Sequence, residues 1–221
     1  MMNLKVLHRW NIDKDTANKI QDELKSKLII KPLSKNIKII CGIDSFYKEE
    51  WIFTAGAICR FPELEVIEVV KVKGKQKFPY IPGLLAFREG ENIINLIEKI
   101  EKDVDCFILN GHGIAHPKKF GLASHIGVLI EKPTIGCAKR LLYGNYSEPP
   151  IFPLSSTFIK DSEGEIIGHA LRNYNGSIIF ISPGHLIDLK DSLNIIIKCM
   201  KEKYSLPYPL YLAHKNSKTY F

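Results

Sequence analysis

Residues 104–110 read "VDCFILN", an unbroken apolar run that closes on an asparagine and passes at once into the glycine turn "GHG" (111–113). Such a run describes a strand buried on both faces of a sheet. On its N-terminal side, after the Pro-rich "KFPYIPG" (77–83), residues 84–101 carry a helical pattern. On its C-terminal side "SHIGVLIEKPTIGCAKRLL" (124–142) suggests a helix leading to a short buried strand around Pro133–Ala138. Strands alternating with helices imply an α/β fold with a partly parallel sheet covered on both faces.

Further out the pattern changes. "IKIICGID" (37–44), "WIFTAGAICRF" (51–61) and "EVIEVVKVKG" (65–74) are strand-like runs joined by short turns, an antiparallel opening to the sheet. Before them Ala17, Ile20, Leu24 and Leu28 recur at helical spacing, which predicts an amphipathic helix over 14–28. Downstream, "GNYSEPPIFPLSS" (144–156) reads as a loop, 156–172 as a hairpin turning at Glu163–Gly164, 177–181 as a strand and 187–203 as a helix. The tail from Leu206 is Pro- and Tyr-rich and carries His214. No repeat or low-complexity segment interrupts the chain, so one domain over 1–221 is expected.

A formal net charge of +7 suits a partner that carries phosphates, although charge alone selects no partner. The five cysteines are scattered, include no CxxC pair and read as buried free thiols of a reducing compartment. The opening "MMNLKVLHRW" lacks a leader's apolar core, and no stretch approaches a membrane span, so a cytoplasmic protein without a membrane partner is expected.

Three polar residues fall at ends of predicted elements: Asp44 after the first strand-like run, Glu89 early in a helix and Asn110 before "GHG". Such positions converge on one sheet edge, where three oxygen-bearing groups could share a hard cation. On spacing alone the plainer roles stand first: a strand end, a helix cap and a turn. "NGHGIAHPKKFG" (110–121) is no P-loop, since no GK[ST] follows, but its glycines would let backbone N–H groups approach a flat ligand. His112 and His116 stand four apart with a glycine between them and Pro117 after, which argues against a zinc pair. "FPYIPG" (78–83) sets Tyr80 among prolines, either as a rigid exposed ring that wedges between bases or as a plug on the core.

The runs "GIDSFYK" (42–48), "FPYIPGLLAFREG" (78–90), "NGHGIAHPKKFGLASHIGV" (110–128), "PTIGCAKRLLYG" (133–144) and "SPGHLID" (182–188) resemble the motifs of the endonuclease V family in order and spacing, over nearly the whole chain. The resemblance implies a ribonuclease-H-like mixed sheet flanked by helices. It also implies Mg²⁺-dependent cleavage, with Mn²⁺ as an alternative, of the second phosphodiester bond 3′ to a deaminated purine. The partner implied is DNA containing deoxyinosine, or inosine RNA, met by a monomer. By the same resemblance Asp44 and Glu89 are metal-binding and catalytic, His214 is a tail histidine near the metals, and Lys139 neutralises the scissile phosphate. Pro79, Tyr80, Ile81 and Pro82 form a wedge, while Gly83, Gly111, Gly113, Gly121, Leu122 and Leu142 fall where the family holds the extruded base. Arg88 and His116, inside the same motifs, are counted with the substrate-binding set.

One departure concerns Asn110, which stands at a metal-binding, catalytic position where the family motif has aspartate. An amide offers one neutral oxygen and an NH₂ that repels a cation, which puts catalysis by this chain in doubt. An inosine-binding protein that does not cut is therefore the first alternative. A metal hydrolase of small nucleotides is the second, and it would have no use for a wedge.

Overall fold

The computed structural model describes residues 8–219; the opening residues 1–7, part of the segment tested above for a leader, lie outside the described residues. The chain order is α1 (Lys14–Lys25), β1 (Ile39–Lys48), β2 (Trp51–Arg60), β3 (Val66–Lys75), α2 (Leu85–Ile97), β4 (Cys106–Asn110), α3 (Leu122–Ile130) and β5 (Thr134–Ala138). It continues with β6 (Asn145–Tyr146), β7 (Ser156–Lys160), β8 (Ile166–Arg172), β9 (Ile178–His185), α4 (Leu189–Cys199) and α5 (Tyr208–Lys218). The nine strands form one mixed sheet in the order β3-β2-β1-β4-β5-β9-β8-β7-β6.

β1, β2 and β3 are an antiparallel meander, as their short turns predict, whereas β4 and β5, each separated from its predecessor by a helix, run parallel to β1. The helices lie on both faces. Leu24 of α1, Ile93 and Ile97 of α2 and Val128 of α3 pack with Cys41, Ile43, Phe107 and Leu109. Ile195 and Ile196 of α4 and Leu210 of α5 pack with Ile40, Cys106, Ile108 and Ile135 on the opposite face. Successive residues of β1 and β4 thus alternate between two cores, which is why each run reads as continuously apolar. All five cysteines are buried and free. Among the described residues no helix is long and apolar enough to cross a membrane.

Several elements depart from the sequence reading, and α1 and α2 end at Lys25 and Ile97, short of 28 and 101. α4 is shorter than 187–203 because Met200 adopts an extended conformation (ψ 138°). The Pro-rich loop contributes the two-residue strand β6 at the sheet edge. The Pro- and Tyr-rich tail forms α5, whose prolines stand at the cap (Pro207) and in the first turn (Pro209), where a missing N–H leaves no helical bond unmade.

Candidate active site

The alternation that builds the two cores also delivers the site. On β1 and β4 the even-numbered residues Ile40, Cys106 and Ile108 face α4 and α5, so Asp44 and Asn110 fall on that same face. α5 reaches it by close approach. A Cβ on Gly42 would stand 2.3 Å from the backbone of Pro209, so only glycine lets the helix lie on β1. One and a half turns later His214 points its Nδ1 at Oδ2 of Asp44, 2.6 Å away, and must carry the proton because a carboxylate only accepts. Asn110 donates from Nδ2 to the other oxygen, Oδ1, at 2.7 Å.

Glu89 approaches from α2 on the opposite face and is buried to 6% exposure. The Tyr47 hydroxyl donates to it at 2.5 Å. Burial pushes the Glu89 carboxyl up to about 8; the Tyr47 bond pulls it back and the charge of Asp44 adds to the rise. Tyr47 is itself pushed upward, by its own burial and then by the Glu89 charge. Tyr47 was not picked out in the sequence reading. It lies three residues after Asp44, so an odd step places it on the Glu89 side, and that parity was the available signal.

The charge of Asp44 helps burial to hold Glu89 in its protonated form, and a cation near both would favour the ionised one. The donors are hard carboxylate oxygens, which suit Mg²⁺ or Mn²⁺. Among the described residues no three His, Cys, Asp or Glu side chains form a ready-made cage, so the set does not suit a closed zinc site. The Asn110 amide occupies Oδ1 of Asp44, an oxygen that a cation would otherwise take.

The loop Pro79–Gly83 leads into α2, the helix that carries Glu89. Phe78 and Leu84 anchor its ends in a cluster with Phe87, while Tyr80 is 66% exposed at its tip. Gly83 ends the loop at φ +85°, and its carbonyl accepts from Nε2 of both His116 and Gln21, each at 2.9 Å. The Arg88 guanidinium lies 4.5 Å from the Tyr47 ring centroid and 6.0 Å from that of Tyr80, so it spans the space between acids and loop tip.

Both ring nitrogens of His116 are engaged by backbone: Nδ1 accepts from the N–H of Lys118 at 3.1 Å while Nε2 binds the Gly83 carbonyl. His112 likewise bonds the Arg140 carbonyl through Nε2 at 3.0 Å. Gly113 donates to Ser182 Oγ, and a Cβ there would sit 1.8 Å from the Pro183 carbonyl oxygen. The backbone that Gly113 admits is therefore the chain's own, pinning the turn to β9. Gly121 is packed in the same way against the His112 carbonyl, and Gly111 lies against the side chain of Leu122.

Asn110 pairs with Cys137, so Lys139 leaves β5 from the same sheet end and is exposed, and Leu142 beyond it is 40% exposed. Lys118 and Lys119, by contrast, are paired with Asp22 and with Asp161 and Glu165.

The Endonuclease V family profile matches residues 22–215. Endonuclease V of Thermosipho melanesiensis is 44% identical over 98% of this chain and 95% of its own length. That of Dictyoglomus turgidum is 41% identical over 95% and 91%. Among solved structures, the Bacillus subtilis endonuclease V superposes with a TM-score of 0.89 at 29% identity, over 98% of this chain and 96% of that one. The Ciona intestinalis endonuclease V, solved in complex with a 24mer DNA containing an inosine followed by a ribo-adenosine, gives 0.80 at 26% identity over 93% and 97%. With the mixed sheet, the converging acids and the family profile in agreement along the chain, this protein belongs to the endonuclease V family.

Proposed function

We propose that this protein is a metal-dependent endonuclease that finds deaminated purines, foremost hypoxanthine in DNA, and cuts the second phosphodiester bond 3′ to the lesion. The observation that carries the reading is the Asp44–Glu89 acid pair, linked through Tyr47 and Arg88 to a loop with an exposed aromatic tip. The inosine-containing DNA held by the Ciona relative supports the substrate class.

In this reading Asp44, Glu89 and the Asn110 oxygen are the groups that hold Mg²⁺ or Mn²⁺. A bound divalent cation supplies the Lewis acidity that phosphodiester hydrolysis needs, lowering the pKa of the attacking water and offsetting charge on the leaving oxygen. His214 fixes Asp44 by its Nδ1–H bond, and Tyr47 fixes Glu89. Lys139 neutralises the scissile phosphate. Tyr80, stiffened by Pro79 and Pro82 and flanked by Ile81, fills the gap left by the extruded base, which itself costs a few kcal/mol and less at a mismatch. Gly83, Gly111, Gly113, Gly121, Leu122 and Leu142 shape the base pocket, with His116 and Arg88 holding its walls. Residues 1–221 act as one domain and as a monomer.

A second reading, an inosine binder that does not cut, is favoured by the Asn110–Asp44 hydrogen bond, which satisfies Asp44 without a cation. Single-turnover assays on duplexes with one inosine or one adenine, and on matched inosine RNA, across Mg²⁺ and Mn²⁺ series separate the readings. Metal-dependent cutting confined to inosine strands is expected. Inosine-selective binding with no cutting at saturating metal would establish the second reading, and equal action on free inosine nucleotides would overturn both.

A further inference from the structure

The hairpin strands run on past the point where β4 stops. β4 pairs with β1 only as far as Ile43–Leu109, whereas β1 stays paired to β2 out to Lys48–Trp51 and β2 to β3 out to Trp51–Lys75. A three-stranded arm therefore projects beyond the acids. Partners across a sheet share a face, so the register gives the rows on the Asp44 side: Asp44–Ala55–Lys71, then Phe53–Lys73, then Trp51–Lys75. Val70 and Val72 point the other way, into the core under α2.

Edge strand β3 thus presents Lys71, Lys73 and Lys75 in line on the face that carries Asp44. With strands about 4.8 Å apart, Lys71 stands about 10 Å from Asp44, and the three lysine positions are about 6.6 Å apart. The Nζ atoms of Lys73 and Lys75 lie 3.8 and 5.2 Å from the Trp51 ring centroid, and that of Lys71 donates to the Thr219 carbonyl at 3.4 Å. Among the described residues none of the three pairs with a carboxylate. Lys35, Lys77, Lys118, Lys119 and Lys132 all do. This arm therefore adds a row of positive charge, next to an aromatic ring, to that of Lys139 at the same end of the sheet.

We propose that Lys71, Lys73, Lys75 and Trp51 form a second, sequence-independent subsite for the backbone of the same nucleic acid that the catalytic site cuts. Phosphates along one strand of a duplex advance about 3.4 Å per nucleotide along its axis, so a lysine row that begins about 10 Å from Asp44 faces phosphates from about three nucleotides beyond the acid onward. Trp51 backs the ammonium groups and offers a face to a sugar or base at the duplex margin. The inference rests on the nuclease reading above and adds to it a length requirement for the substrate.

The test compares the full chain with the variant K71Q/K73Q/K75Q on labelled inosine duplexes over a salt series, with the duplex shortened stepwise from either end. For the intact duplex the variant is expected to bind at least tenfold more weakly, with the slope of log affinity against log salt smaller by about two to three. Shortening one end to within about three nucleotides of the cut is expected to abolish the difference. If the variant self-associates through its edge strand, the shortening series on the unmodified protein still decides the matter, through a loss of salt slope at one end only. Equal slopes for both proteins, or a slope indifferent to length, would overturn the subsite. Unchanged nucleic-acid binding with weakened binding to phosphatidylserine vesicles would assign the row to a membrane surface instead. Failure of the unmodified protein to bind any inosine duplex would remove the nuclease reading and this subsite together.

Discussion

Asn110 holds Asp44 by a hydrogen bond from a neutral amide, at a position where a carboxylate would repel it. Asn110→Asp replaces attraction by repulsion when no metal is present and supplies an anionic ligand when one is. The expected outcome is a lower unfolding temperature in chelator, a higher one with saturating Mg²⁺, and single-turnover cleavage faster by two to four decades, about 3–5 kcal/mol of barrier. Equal rates for the two forms at saturating metal would show that position 110 is no ligand. The acid pair was legible in sequence only as part of a family pattern, since a strand-end Asp and a helical Glu have ordinary structural uses. Tyr47 and Gln21 escaped notice because their partners, Glu89 for the one and the Gly83 and Phe120 carbonyls for the other, lie far along the chain, and no local pattern announces such contacts.

At the scale of elements, α5 and the Pro79–Gly83 loop do the positioning. Gly42→Ala would drive a methyl into the Pro209 backbone, so the helix must lift, at a cost of about 1–3 kcal/mol or more. Urea unfolding should show that loss, and metal affinity should fall with it as His214 withdraws from Asp44; weakened stability with unaltered metal affinity would mean that α5 does not set the site. In the loop, Tyr80→Ala removes an exposed ring held on anchored ends, so stability should change little while affinity for an inosine duplex falls about tenfold or more. A titration with unchanged affinity would deny Tyr80 the wedge role. The loop was readable because Pro on both sides of an aromatic residue restricts the backbone locally. α5 was not, because its prolines sit at the helix start, where they are tolerated, and no sequence rule separates that placement from a Pro-rich coil without knowing that Gly42 awaits the helix.

For the whole molecule, acid is the weak side. His116 and His185 are both buried, and burial holds each at about 4, below the ordinary 6.5. Each accepts at Nδ1 from a backbone N–H, of Lys118 and Ile29 respectively, a bond that the protonated ring cannot make. The unfolded chain therefore binds more protons than the folded one between pH 6.5 and 4. Stability should fall as pH falls through that window, each histidine withdrawing up to about 3 kcal/mol. Urea unfolding at successive pH values checks this, and a flat profile down to pH 4 would contradict it. The sheet order itself was half legible: hairpin turns announced β1 to β3 and helical spacers announced β4 and β5, but the antiparallel return of β9 against β5 depends on contacts that sequence periodicity does not encode.

The contact between His214 and Asp44 joins residues 170 positions apart in the chain. Translation at about 5–20 residues per second puts roughly 9–34 seconds between the two leaving the peptidyl-transferase centre. Over that interval β1 can pair with β2 and β3 while Asp44 lacks its histidine and the groove left by Gly42 stands without its helix. A nascent chain on its ribosome, surrounded by nucleic acid of every kind, thus carries the first acid of a nuclease well before it carries the helix that sets that acid in place.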